Sequence, residues 1–374
     1  MSFLWEYSLT GASKLPAFVI GANNIAISGT SWIYSTTDGL TWTQITNPLP
    51  AVNYFSIAAS NSAVVAVGWN TANTGNTAAI ISSTDGVNFV SRSFPNSSNT
   101  YFITNVAYGN GIFCVMGANT SSPLLWTSSD GITWTSQTPP KVNSVYYTKD
   151  SAVFWDNTIG KFLIPDLEYD TPQIQIWTSS DGITWANNNQ FLSAVQYSML
   201  YPTGGNFYWS TETDGYGDDA LYYTTNINNA KAGSGWTNIS NSIQNYVPIV
   251  YGNGVYVSPN SGVTSSDGVT WSSTFTRFPV YNNRMYYYNP MNDAGYNLIT
   301  SRSTYQPYIG GGYNNIWIGF SNTLSSFLFQ SSYANNMYHI KTSTNGTTWS
   351  NTPFFAAPTA NTTSFSNTII TGIT

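Results

Sequence analysis

Charge is what this chain has least of. Only 7% of its 374 residues are Asp, Glu, Lys or Arg, against roughly 25% in an ordinary soluble protein. Ten Lys and Arg face sixteen Asp and Glu, for a net charge of −6. A nucleic-acid binder needs clustered cations to displace counterions from phosphates, so nucleic acid is not an expected partner. No basic stripe is available for an anionic membrane surface either. There is one cysteine, Cys114, and one histidine, His339. That excludes an internal disulfide framework and a cysteine-based zinc cage. It also leaves a histidine metal site or a Ser-His-Asp triad with almost nothing to use. Cys114 lies in the apolar run GIFCVMG and reads as a small buried hydrophobe; His339, in NMYHIKTS, reads as an ordinary strand residue. No apolar run approaches the roughly 18–20 residues of a membrane-spanning helix, so membrane insertion is not expected. The start, MSFLWEYSLTG, has neither a basic n-region nor a sustained apolar h-region, and predicts synthesis in a cytoplasm without a signal peptide. Helix formers are scarce, and 17 Pro and 30 Gly interrupt every candidate helix.

Aromatic residues, by contrast, make up 16% of the protein, with 27 Tyr and 14 Trp. With so little charge, the polar surface has to be Ser, Thr, Asn and Gly. Antibody paratopes draw on the same set, because Tyr gives rigid contact area and the small polar residues give adaptable hydrogen bonds. The composition therefore points towards an adhesive surface.

One short phrase is written repeatedly: STTDGLTW (35–42), SSTDGVNF (82–89), TSSDGITW (127–134), TSSDGITW (178–185), TSSDGVTW (264–271) and TSTNGTTW (342–349). The turn positions are Asp38, Gly39 and Trp42; Asp85, Gly86 and Phe89; Asp130, Gly131 and Trp134; Asp181, Gly182 and Trp185; Asp267, Gly268 and Trp271; and Asn345, Gly346 and Trp349. A seventh, damaged copy falls at 223–237, where Asn226 takes the Asp place and an insertion precedes Trp236. A period of 40–50 residues built from short β runs means propeller blades before anything else. Asp-Gly between apolar runs is a strong hairpin signal, because Gly takes positive φ cheaply and Asp caps the turn backbone. The aromatic that follows is expected to start the outgoing strand and to fill the wedge between neighbouring sheets. The motif reads as structural, one hairpin per blade.

Upstream of the third copy the sequence reads as a strand over 103–108, a Gly-Asn-Gly turn, a strand over 112–116, a strand over 124–128, the Asp-Gly turn, and a fourth strand from Ile132. The tetrapeptide YGNG recurs at 251–254 in the same relation to its own Asp-Gly. Four strands and two turns per unit match a propeller blade. The prediction is an all-β, single-domain propeller over residues 1–374, with four-stranded blades. Seven motifs favour seven blades, and the gap from Trp271 to Trp349 leaves eight as the alternative. Within that gap, 284–301 resembles an inner strand pair and 315–332 an added hairpin. FLWEYS near the start and SFSNTIITGIT at the finish read as strands that close the ring by sharing a blade.

These segments resemble Asp-box (BNR-type) repeats, whose pattern is Ser-x-Asp-x-Gly-x-x-Trp between the third and fourth strands of a blade. Asp and Gly are adjacent here, one residue shorter, as in phage and bacterial repeat proteins resembling sialidase-like and photosystem-assembly-factor propellers. The resemblance covers roughly residues 15–350 and bears on fold more than on function. A sialidase would need three Arg on a carboxylate, with a Tyr–Glu nucleophile pair. Only Arg92, Arg277, Arg284 and Arg302 are available, three of them close together, and the early Arg-Ile-Pro segment is missing. The Arg patch of an assembly factor is missing too.

In a four-stranded blade the Asp-Gly turns share one rim, and the loops between second and third strands share the other, which is usually the working face in this family. Two such loops differ from the rest: LIPDLEYDTPQ (163–173), with Asp166, Glu168 and Asp170, and STETDGYGDDALYY (210–223), with Glu212, Asp214, Asp218 and Asp219. Carboxylates and carbonyls in a Gly-containing loop suit Ca²⁺, with Asp214, Asp218 and Asp219 as candidate ligands. A carboxylate pair also suits the acid and base of a glycoside hydrolase. The third reading is a solvated acidic rim whose tyrosines, Tyr169, Tyr216, Tyr222 and Tyr223, contact a ligand or nothing. Side-by-side Tyr in VYYT, RMYYYNP and ALYYTT fits sugar stacking or inter-blade packing equally. The functional expectation is a non-enzymatic binding module on a phage virion surface, tail-fibre-like, recognising host glycan or docking to other virion proteins, with oligomerisation inside an assembly. Its alternatives are a glycoside hydrolase and a purely structural scaffold.

Overall fold

The computed structural model describes residues 18–24, 30–36, 43–46, 48–49, 52–70, 77–95, 102–118, 122–140, 153–156, 159–168, 173–193, 197–212, 220–226, 235–239, 249–258, 262–275, 317–321, 325–334, 337–352 and 365–372. Among them there is no helix, and every strand pair is antiparallel. The strands in sequence order are β1 (Phe18–Asn24), β2 (Thr30–Thr36) and β3 (Thr43–Ile45); β4 (Val52–Ala59), β5 (Val64–Asn70), β6 (Thr77–Ser83) and β7 (Val90–Arg92); and β8 (Phe102–Gly109), β9 (Ile112–Ala118), β10 (Pro123–Ser128) and β11 (Thr135–Gln137). They continue with β12 (Phe154–Asp156), β13 (Lys161–Glu168), β14 (Gln173–Ser179) and β15 (Ala186–Ser193), and with β16 (Tyr197–Thr203), β17 (Asn206–Glu212), β18 (Ala220–Thr224) and β19 (Thr237–Asn238). The last are β20 (Val250–Gly252), β21 (Val255–Ser258), β22 (Val263–Ser265) and β23 (Ser272–Ser273); β24 (Trp317–Ser321), β25 (Ser326–Ala334), β26 (Met337–Ser343) and β27 (Ser350–Thr352); and β28 (Phe365–Gly372). They form seven four-stranded sheets, each a simple meander except the first, whose order is β28-β1-β2-β3. This is a β-propeller.

Closure follows from that first sheet. β28 pairs along β1 from Phe18↔Gly372 to Asn24↔Phe365, and its neighbours are the innermost strands β24 and β4 of the blades on either side. The C-terminal strand therefore supplies the inner edge of blade one, as SFSNTIITGIT predicts, whereas FLWEYS lies outside the described residues. The inner strands are covered on both faces, which is why they are written as continuous apolar runs. Val64, Val65, Ala66 and Val67 are all buried on β5, as are Phe113, Cys114, Val115 and Met116 on β9. Each core cluster is a seam between blades. One joins Val65, Val67 and Ile80 of blade two to Phe113, Val115, Trp126 and Trp134 of blade three. The next joins Cys114 and Met116 of blade three to Trp155, Phe162 and Ile164 of blade four.

Three sequence expectations are corrected. The fourth strand of blade three starts at Thr135, not Ile132, because residues 128–134 are taken up by the turn between Thr127 and Thr135. The tight two-residue hairpin is instead the Asn-Gly turn. Gly109 pairs with Ile112 around Asn110 (φ 49°) and Gly111 (φ 78°), the double positive φ that two-residue turns of this hand demand. Finally, 315–332 is no added hairpin: β24 and β25 are the inner pair of the last blade, followed by β26 and β27. The segment 284–301 lies outside the described residues.

Candidate functional site

Antiparallel order puts the first and third turns of every blade on one rim and the second on the other. The rim of the Asp-Gly turns is bound to itself. In blade three, Asp130 Oδ1 accepts the N–H groups of Ile132 and Thr133 at 2.8 Å each and the Ser128 hydroxyl at 2.9 Å, while Gly131 N donates to Ser128 Oγ at 2.8 Å. The same set recurs around Asp181 and Asp267, with lengths between 2.7 and 2.9 Å. Asp85 adds the Asn88 amide, whose Nδ2 donates to Oδ2 at 2.7 Å. These donors favour the charged carboxylate. The backbone N–H of Asn88 leads in holding Asp85 well below the usual carboxylate range, and that of Thr270 does the same for Asp267. For Asp130 and Asp181, partial burial pushes upward but is outweighed by the N–H groups of Thr133 and Thr184 and their neighbours, so both are lowered. Asn345 keeps the geometry with a neutral acceptor and longer bonds, 3.0 and 2.9 Å to Thr347 N and Thr348 N.

Carbonyls on this rim, in the Asp-Gly turns and in the first turn of the last blade, are held by the preceding blade. Asn110 Nδ2 donates to Ser180 O at 2.9 Å, and Asn253 Nδ2 donates to both Ser325 O and Thr344 O at 2.8 and 2.9 Å. Between blades five and six, Tyr208 Oη donates to Gly268 O and Asn206 Nδ2 reaches Tyr256 Oη. Burial pushes the Tyr208 hydroxyl far up, so it stays a donor. Trp134 and Phe89 are buried in the seam with the preceding blade. Trp349 packs in its own seam and donates Nε1 to Gly346 O at 3.1 Å. The seam reading of the aromatic therefore holds. The turn at 223–237 also lies between a third and a fourth strand, β18 and β19. Residues 37–42 of the first copy, with Asp38, Gly39 and Trp42, lie outside the described residues.

The opposite rim carries the candidate ligand residues. Asp166 and Glu168 are on β13 itself, opposite Gln175 and Gln173, and Glu212 ends β17 opposite Tyr197. The predicted loops at 163–173 and 210–223 are therefore shorter than expected, because both second strands run on into the acidic stretch. Pro165 lies past Leu163, the last described partner of β12, and among the described residues has only β14 beside it, where its missing N–H is tolerated. The topology thus brings Asp166, Glu168 and Glu212 to the same rim of adjacent blades. Tyr222 is half-buried on β18, opposite Trp209 and Asn238. Asp170, Asp214, Tyr216, Asp218 and Asp219 lie outside the described residues, and with them the candidate Ca²⁺ site. Among the described residues, no three His, Cys, Asp or Glu come together to hold a metal. Cys114 is fully buried with its thiol pushed far up by desolvation, and no described helix is long and apolar enough to cross a membrane.

Sequence reasoning missed one set of residues. Val87, Ile132 and Ile183, immediately after the turn glycine, are 45%, 38% and 48% exposed. The repeat thus sets out apolar side chains on the Asp-Gly rim of successive blades. Aligning the copies by the residue after Gly would have shown it.

No family model matches the protein, and no curated protein resembles it in sequence. Solved structures similar to it include YCF48 bound to D1 peptide, at 11% identity over 80% of this protein and 81% of that one, with a TM-score of 0.42. Another is the β-propeller domain of the trilobed protease from Pyrococcus furiosus, at 8% identity over 78% and 81% of the two proteins, with a TM-score of 0.42. A third is a nidogen/laminin complex, at 10% identity over 66% and 87%, with a TM-score of 0.41. At such identities no activity passes from them to this protein.

Proposed function

We propose that the protein is a non-enzymatic binding module on a phage particle that recognises a host surface glycan through the rim opposite the Asp-Gly turns. The observation that carries this reading is the contrast between the rims. On one, side chains and carbonyls are committed to holding blades together. On the other, adjacent blades extend their second strands into acidic, Tyr-bearing stretches that depart from the repeat. The very low charge and the Ser, Thr, Asn and Tyr surface fit sugar recognition, in which aromatic faces stack on C–H groups and polar side chains take the hydroxyls. The resemblance to phage and bacterial repeat propellers supplies the setting.

The test is incubation of the purified protein with a panel of bacterial surface polysaccharides, scoring bound protein and newly released reducing ends together. Binding without release is expected, with loss of binding in Asp214→Ala/Asp218→Ala and retention in Ile132→Ser/Ile183→Ser. Release of reducing ends overturns the reading in favour of a hydrolase. Binding that fails across the panel, with Ile132→Ser/Ile183→Ser also abolishing attachment to purified virions, assigns the protein to docking on other virion proteins.

A further inference from the structure

Three Asn-Gly pairs occur in the sequence, Asn110-Gly111, Asn253-Gly254 and Asn345-Gly346, and all three lie on the rim of the Asp-Gly turns. Asn-Gly is the pair most open to intramolecular attack, since glycine offers no side chain to hinder its own amide nitrogen. That nitrogen attacks Cγ of the Asn, a new bond forms between the two atoms, the bond from Cγ to Nδ2 breaks, and ammonia leaves. One water then opens the cyclic imide to aspartate or isoaspartate. No enzyme, oxidant or cofactor is required.

We infer that Asn110 and Asn253 are sites of this self-modification and that conversion there loosens the seams they clasp, whereas Asn345 is protected. The difference lies in how each pair is held. At Asn345 the attacking nitrogen, Gly346 N, is buried and donates to Ser343 Oγ at 2.8 Å. Asn345 Oδ1 is fixed by Ser343 Oγ, Thr347 N and Thr348 N. At Asn110 and Asn253, both the Asn and the following Gly are exposed. Among the described residues, Asn110 holds one carbonyl, Ser180 O, and Asn253 holds two, Ser325 O and Thr344 O. Reactivity in the folded protein therefore falls in the order Asn110, Asn253, Asn345.

The consequences also differ. At Asn110 or Asn253 a donor becomes a carboxylate aimed at the carbonyls it used to hold, so attraction between neighbouring blades turns into repulsion. At Asn345 conversion to aspartate produces the residue that the other turns already carry at that place.

The test is ageing of the full-length protein in mildly alkaline buffer, with peptide mapping by mass spectrometry at all three sites. A urea-unfolded sample gives each site its own reference rate. The folded-to-unfolded rate ratio is expected to be highest at Asn110, lower at Asn253 and lowest at Asn345. A ratio at Asn345 equal to or above the others overturns the inference, as does the absence of conversion at both Asn110 and Asn253 in the folded sample. N253D and N110D are expected to lower the unfolding midpoint, N253D by more, while N345D does not lower it. An N253D protein as stable as the parent overturns the seam claim. If N253D does not fold, aged parent protein is read instead. Protease sensitivity must then rise with the fraction converted at Asn253, and a flat response overturns the claim equally.

Discussion

Two glycines of blade three separate backbone conformation from seam packing. Gly111 has φ 78° and Gly131 φ 71°, so alanine pays the left-handed penalty at both, roughly 1–2 kcal/mol. Their surroundings differ completely. A Cβ on Gly111 meets nothing within 4 Å, whereas on Gly131 it falls 2.7 Å from Val65 Cγ2, 3.4 Å from Ala63 Cβ and 3.5 Å from Phe113 Cε2. Val65 and Ala63 belong to the preceding blade and are buried, so neither has room to retreat. Overpacking of this kind adds about 1–3 kcal/mol. Gly111→Ala is therefore expected to cost about 1–2 kcal/mol and Gly131→Ala about 2–5 kcal/mol in all, read from urea unfolding curves of the two variants beside the parent. Because Val65 supplies the contact, Val65→Ala combined with Gly131→Ala should cost less than the sum of the singles, with a coupling of about 0.5–3 kcal/mol. Equal losses at Gly111 and Gly131, or strict additivity with Val65→Ala, would refute the claim that the turn glycine is required by the neighbouring blade.

Other consequences follow from the same turns. Asp85, Asp130, Asp181 and Asp267 all have lowered carboxyl pKa values. Their contribution is thus complete above the unfolded value of about 3.9 and is lost as pH falls through the lower folded values. Unfolding midpoints are expected to hold near neutrality and to drop in acid, with Asp130→Asn flattening its share of the drop. Asn345→Asp should stabilise by about 0.5–1 kcal/mol at neutral pH and lose that gain in acid, as a pH series of melts will show. Trp134→Ala should cost about 3–5 kcal/mol. Trp134→Phe should cost much less, since Trp134 Nε1 is buried without a hydrogen-bond partner and Phe89 already fills the same place. Trp349→Phe also gives up the bond to Gly346 O, so thermal melts should rank it as the costlier of the two Phe variants.

The architecture was legible because each blade is specified locally. Turn residues, apolar inner runs and a closing aromatic recur with a period, and the shared blade could be read from strand-like residues at the finish. What the sequence misplaced were lengths. Asp-Gly looks like the tightest hairpin available, yet the Asp carboxylate gathers three donors of its own, so the turn spreads over residues 128–134 and delays β11. The two-residue turn fell to Asn-Gly, which carries the same positive-φ signature. Acidic residues look like loop, yet Asp166, Glu168 and Glu212 stand on strands, because strand propensity reflects what packs beside a residue more than the residue itself. The seam hydrogen bonds were invisible, since they join residues about 70–90 apart and no local pattern encodes which carbonyl Asn110 or Asn253 will meet.

The repetition also constrains where a binding specificity can change. A residue on the Asp-Gly rim answers to its own turn and to the blade before it: Gly131 to Val65, Gly346 to Val257, Gly268 to Tyr208. A substitution at one of these glycines that improves a contact with a ligand also disturbs a seam of the ring that β28 closes against β1. β13 and β14 are paired out to Glu168↔Gln173, and β17 and β18 out to Thr211↔Ala220, so sequence in the connections beyond the ends of those ladders can change without breaking a pair. The departures from the repeat at 163–173 and 210–223 span those connections. For a protein proposed to recognise a variable surface glycan, that is where new specificity would accumulate.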